Sequence, residues 1–310
     1  MGLAVQRNTA VLLFTLTCFY TLGVNATEPP SRSINHLFDI TDSDSGSLVL
    51  PTDVEVYRSG IYVVDSGNHR LVVLGKDGKT KFTVGQQGSG EGEFQDPVGL
   101  GIDSKGRIYV ADSGNHRIQI LTAKGEYSGE IPIIRDGKPV RPIDVAVDAK
   151  TNYIYVTGNE SHNVMVFDQK GRLIREWGGN GAETGKFRYP ATIAVTPNFD
   201  VAVVDVFNTR VQLFQTDGTF LITIGEWGVL PGQLFRPKGI ATDQQGRIYV
   251  SDSYMNVIQV FNDSGKFQHI LKQKNVERDL VTPAGIAIAG NSRLYIAEML
   301  KHRISVYQIN

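Results

Sequence analysis

The chain has a single cysteine, Cys18, and it lies within the first 26 of 310 residues. The remainder offers no thiol and no disulfide staple, which a domain of this size does not require. An excess of one charge is missing too: 31 basic residues face 32 acidic ones, for a formal net charge of −1. Such balance leaves no footprint for a nucleic acid or an anionic membrane. Helical periodicity is nearly absent, and neither a Gly-x-Ser-x-Gly elbow nor an HExxH pair occurs. The long apolar run from Ala10 to Val24 is shorter than the ~20 residues a spanning helix needs.

That run follows Arg7 and ends in Val24-Asn25-Ala26, a small-residue boundary that suits signal peptidase. Residues 1–26 therefore read as a secretory signal, with a mature chain from Thr27 that is secreted or periplasmic. A membrane is a partner only if this segment is not cleaved. Thr15-Leu16-Thr17 ahead of Cys18 makes a poor lipid-attachment box, and Asn159-Glu160-Ser161 and Asn262-Asp263-Ser264 are short glycosylation sequons.

What is abundant is repetition. Tyr62-Val63-Val64-Asp65-Ser66-Gly67-Asn68-His69-Arg70-Leu71 returns as Tyr109-Val110-Ala111-Asp112-Ser113-Gly114-Asn115-His116-Arg117-Ile118, with looser copies from Tyr155, Ala202, Tyr249 and Tyr295. Each follows a proline, at Pro51, Pro97, Pro142, Pro190, Pro237 and Pro283, with spacings of 46, 45, 48, 47 and 46. That period suits a four-stranded propeller blade and is too long for a two-helix or leucine-rich unit. Thirty-three glycines and twelve prolines among short Val, Ile, Tyr and Phe runs fit an all-β chain with frequent turns.

In the second copy, strands are expected over 98–102, 107–111, 116–121 and 127–131, with turns at Asp103-Ser104-Lys105-Gly106 and Ala123-Lys124-Gly125-Glu126. At the fifth position from proline stand Glu55, Gly101, Ala146, Ala194, Ala241 and Ala287, small where blades converge on an axis. The last copy ends after its third strand, and Ile34 to Ile40 lies where a missing fourth strand would be supplied. The expectation is an all-β, six-bladed β-propeller of four-stranded blades over residues 27–310. An N-terminal strand pairs with the last blade and closes the ring.

The pattern Pro-x-Gly-[Ile/Leu]-x-[Ile/Val]-Asp, followed by Tyr-Val-x-Asp-Ser-x-Asn-x-Arg-[Ile/Val], closely resembles the NHL repeat. All six copies carry it, though the third has Gly158 and Asn163 in place of Asp and Arg. The fifth has Met255 and Val257 in place of Asn and Arg, and the sixth has Glu298 in place of Asp. The linkers from Gly85, Gly178 and Gly225 to the next proline also match the family's glycine-spaced run. The resemblance implies a propeller and no one activity. Exported propellers with similar repeats include peptidyl-hydroxyglycine lyases, which place zinc-binding histidines at the heads of inner strands. Here those heads carry none.

His69, His116, His162 and His302 form a column, one per blade, and ligands separated by a blade width cannot share one zinc ion. The Asp65, Asp112, Asp205 and Asp252 column, with Arg70, Arg117 and Arg210 five residues on, reads as a staple within each blade. Candidates for function are the departures from the columns. Asp53, Glu55 and Asp144 place carboxylates where other copies have Gly, Ala or Thr, at a channel mouth where calcium or a cationic ligand group would bind. Trp227 falls beyond its strand and is expected to be exposed, whereas Trp177 is expected in the core. Phe207 and Tyr254 replace loop glycines, and Arg141, Arg188, Arg236 and Lys238 surround the prolines on the same face. The expectation is a monomeric, non-catalytic scaffold without a required cofactor, binding a protein, peptide or glycan through this aromatic and basic face. The alternative is a metal-dependent lyase or hydrolase using the channel carboxylates.

Overall fold

A computed structural model describes residues 28–273, 279–290 and 292–310. The segment read as a secretory signal, residues 1–26, lies outside the described residues. No described helix is long and apolar enough to cross a membrane.

The repeat folds as its alternation requires. In the second copy the strands are Pro97–Ile102, Ile108–Asp112, Arg117–Leu121 and Tyr127–Pro132, paired antiparallel in that order. A 3-10 turn over Ser113–Asn115 links the second and third of these strands. The first, third and fourth copies form four-stranded sheets of the same order. The fifth and sixth copies share one eight-stranded sheet, joined through Ser31–Ile40. This strand runs antiparallel to Arg303–Ile309, as the unfinished last copy predicts. It also runs parallel to Phe267–Gln273 through Ser31 to Ile34, which the repeat pattern does not foretell.

The sheets lie face to face in a propeller-like arrangement. Inner strands pack each on the next, and Pro283–Ala289 packs on Pro51–Tyr57. Each core cluster belongs to two neighbouring repeat units. Tyr62, Val64 and Val73 pack with Phe94, Leu100 and Val110, for example, and Tyr295, Ile304 and Val306 of the last unit pack with Val54, Ile61 and Val72 of the first. Full burial of one such aliphatic side chain is worth about 1.5–3 kcal/mol, so each contact layer between neighbouring units contributes several such increments.

The Asp and Arg columns act as staples. Asp112 accepts from the Gln95 amide, from Asn115 Nδ2 and from Arg117 Nε, and Arg117 donates onward to Glu130 and to the Gly90 and Glu93 carbonyls. Asp65 with Arg70 and Asp205 with Arg210 repeat the scheme. In the fifth copy Val257 removes the arginine, and Asp252 instead accepts the amides of Phe235, Arg236, Tyr254 and Met255.

The histidine column buckles neighbouring sheets. His69, His162 and His302 accept through Nδ1 the amides of Asp96, Tyr189 and Leu50, the residues just before the next unit's proline. Asn256 does the same for Thr282 through its side-chain oxygen. These four acceptor-linked residues all hold positive φ, between 48° and 56°.

Candidate functional site

Two concavities lie on the axis. The first is a channel cavity of about 170 Å³ lined by Asp53, Glu55, Asp144 and the small residues Gly101, Ala146, Ala194 and Ala241. Asp53 and Asp144 are buried, with 8% and 4% of their surface exposed, and they are not the free ligands expected at a mouth. Asp53 accepts the Val54 amide and, across the sheet boundary, the Leu100 amide. Asp144 accepts the Val145 and Ile193 amides in the same way.

A methyl group at Gly285 would overlap the Asp53 carboxylate, and one at Gly99 would overlap that of Asp144. Each carboxylate thus fills the space left by a glycine on the preceding inner strand. Hydroxyls complete the clasp between sheets: Thr52 donates to Val98 O, Thr157 to Ala191 O, Thr192 to Lys238 O and Ser251 to Ala284 O.

Among the described residues Glu55 makes no such bond, and its side chain lines the cavity beside its small column mates. Burial, then the nearby Asp53, pushes its carboxyl up to about 8. Burial pushes Asp53 up to about 7, and burial followed by the Asp53 charge raises Asp144. Among the described residues, no group of three or more His, Cys, Asp or Glu side chains is arranged to hold a metal ion.

The second concavity is a depression of about 620 Å³ on the face that carries the Asp-to-Arg loops. It brings together Phe207, Tyr254, Arg236 and Lys238 from the expected set. Phe207 is 62% exposed and Tyr254 59%. Burial, then the neighbouring Arg236, lowers the Lys238 ammonium from its ordinary value. Trp227 is exposed as expected, at 71%, but stands outside the depression. Its ring lies 6.4 Å from Phe235, which stacks on Tyr254 at 4.2 Å and 28°. Arg141 pairs with Asp96 at 3.7 Å and does not line the depression. Arg188 is exposed on the linker, where its amide donates to Asp205.

Three further members were not singled out from the sequence. Tyr189 stands edge-on to Phe207 at 5.0 Å, Phe235 carries the stack to Trp227, and Leu300 lines the depression at 57% exposure. Leu300 was within reach, since it sits two residues after Glu298 as Phe207 and Tyr254 sit two after Asp205 and Asp252. Tyr189 and Phe235 precede prolines, where no column norm marks them as unusual.

The NHL repeat family model matches residues 94–121 and 236–261. The protein brain tumor of Drosophila melanogaster is 28% identical over 161 residues, covering 49% of this chain and 15% of that protein. The peptidylglycine alpha-amidating monooxygenase of Rattus norvegicus is 24% identical over 247 residues, covering 59% of this chain and 25% of that protein. The chain spans a quarter or less of the length of these two relatives. Among solved structures, a streptogramin B lyase superposes with a TM-score of 0.61 at 14% identity, covering 89% of this chain and 97% of that one.

Proposed function

The chain belongs to the NHL-repeat family, and from that membership we propose that it is a non-catalytic scaffold that binds a partner protein through the loop face. The observation that carries the reading is the open depression lined by Phe207, Tyr254, Arg236 and Lys238. Large aromatic side chains beside cations, exposed and concave, are the usual anchors of a protein interface. We count the eight-stranded sheet as two blades stitched by Ser31–Ile40, which makes a six-bladed ring over residues 27–310. Residues 1–26 we take as a secretory signal, so the scaffold acts outside the cytoplasm.

Affinity capture from the exported fraction tests both points. The wild-type chain recovers a partner, while Phe207→Ala with Tyr254→Ala lowers recovery at least about tenfold, the loss of one aromatic anchor or more. Mass spectrometry of the captured bait finds its N-terminus near Thr27. Equal recovery by the double variant, or a bait that retains Met1, removes the corresponding part of the reading.

A second reading, a lyase or hydrolase, is favoured by Glu55 alone, since a carboxyl held near 8 beside a cavity suits general acid or base work. Its metal-dependent form loses support because Asp53 and Asp144 are engaged by backbone amides.

A further inference from the structure

The repeat supplies a control for the outer part of the loop face. The linkers that follow Gly85, Gly178 and Gly225 fold alike, with bridges between Gln87 and Phe94, Asn180 and Phe187, and Trp227 and Leu234. Each then donates an amide to the buried residue's carbonyl, from Gly88, Gly181 and Gly228. Where the third linker has Trp227, Val229, Leu230 and Phe235, the first has Gln87, Ser89, Gly90 and Gln95, and the second has Asn180, Ala182, Glu183 and Arg188. The backbone path therefore does not demand apolar side chains at these positions. Nor does the core, because Trp227, Val229 and Leu230 are 71%, 63% and 63% exposed. One exposed leucine needs no explanation, but a contiguous apolar patch confined to one of three equivalent linkers does.

The patch continues inward. Trp227, Phe235 and Tyr254 form a line of rings from the linker to the depression, where Lys238 and Arg236 stand. Among the described residues, no carboxylate lies within 4 Å of the Arg188, Arg236 or Lys238 cations. Of the carboxylates near this side, Asp205, Asp252 and Glu298 are fully buried and accept amides or pair with Arg210 or Arg303. The exposed Asp96 pairs with Arg141, and the exposed Glu226, beside Trp227 at the outer end, accepts from Gln233. The surface thus presents a narrow apolar track that ends in unneutralised positive charge.

Resting on the loop-face reading, we propose that the occupant is an extended acidic polypeptide segment. Its apolar side chains lie along Leu230, Trp227, Phe235 and Tyr254, and a carboxylate sits over Lys238 and Arg236. The aliphatic Val229 and Leu230 suit leucine-like side chains better than sugar faces, and a few cations on a chain of net charge −1 are a poor match for a nucleic acid.

Fluorescence polarisation on the full chain tests this with labelled peptides of about eight residues, roughly 25 Å when extended. One series carries Leu and Phe with Glu at one end, and matched series carry Gln or Lys there. The Glu series binds best, and Lys238→Glu weakens it at least about tenfold while strengthening the Lys series. Arg236→Glu, at a more exposed site, gives the same reversal if Lys238→Glu does not fold. Trp227→Ala with Leu230→Ser weakens every series without changing the charge preference.

Equal affinity of the wild type for Glu and Lys peptides overturns the proposal. So does an absence of peptide binding while partner capture remains sensitive to Phe207→Ala and Tyr254→Ala, and in that case the loop-face reading survives. Sugar or RNA binding lost in Tyr254→Ala, with no peptide bound, also overturns it. Capture that ignores the Phe207 and Tyr254 substitutions removes both.

Discussion

The carboxyl of Glu55 gains a proton more readily in the folded chain than in the open one, because burial and the adjacent Asp53 both disfavour its charge. A group whose pKa is raised by folding favours the fold at low pH and loses that contribution as pH climbs toward the folded value. Asp53, raised to about 7 by burial, acts in the same direction. Stability is therefore expected to fall between about pH 5 and pH 8, by on the order of 3 kcal/mol for Glu55. Glu55→Gln removes the Glu55 part, so its denaturation midpoint exceeds that of the wild type at pH 8 and the two converge near pH 5. Chemical denaturation across that range decides the matter, and an unchanged pH profile in the variant would show that the carboxyl ionises freely. At this scale, a departure from a column had two different meanings. Trp227, Phe207 and Tyr254 depart outward, to solvent. Asp53 and Asp144 depart inward, to complete a neighbour that has glycine at the same position. Sequence spacing does not distinguish the two.

Within a repeat unit, the buried ion pair is the element most exposed to substitution. Arg117 is nearly buried, donates to Asp112 and Glu130, and ties down the preceding linker through the Gly90 and Glu93 carbonyls. Replacing it with Met leaves the fully buried Asp112 without its counter-charge, at a cost of about 3–5 kcal/mol. The fifth unit shows how the same fold manages without an arginine: Asp252 takes four backbone amides instead. Asp112→Asn added to Arg117→Met is accordingly expected to recover part of the loss, measured as the shift in urea midpoint at constant slope. Additive losses in the double variant would rule out the uncompensated charge as the cause. The staple was legible in the sequence, because Asp and Arg recur at a fixed separation. Its hold on the linker was not, since Gly90 and Glu93 contribute only their carbonyl oxygens.

Closure of the whole molecule depends on one strand at the far end of the chain. Ser31–Ile40 satisfies the edge of Arg303–Ile309 along most of its length and the edge of Phe267–Gln273 over four residues. Ile34 and Ile40 are buried in the two clusters that flank the last unit. Removing residues 28–40 uncovers both strand edges and both cluster margins, and unpaired edges of this kind recruit other chains. The truncated chain is expected to lose several degrees of thermal midpoint and to form soluble aggregates visible by light scattering. A truncated chain that stays monodisperse with an unchanged midpoint would mean that the strand is dispensable.

The sequence by itself determined the all-β character, the period of the unit, the strand order within it and the need for an N-terminal strand, because each rests on local alternation and turn chemistry. It also marked the outward aromatic residues. Only the tertiary structure decided that Asp53 and Asp144 clasp neighbouring strands, that the histidines and Asn256 buckle one unit to the next, and that Tyr189 and Phe235 join Phe207, Tyr254 and Trp227 in one surface. Most of these contacts, made where one repeat unit meets the next, join residues some 18 to 50 positions apart, and the His302 contact with Leu50 joins residues 252 apart. Their partners are often backbone amides and carbonyls, which every residue possesses and no sequence pattern reveals.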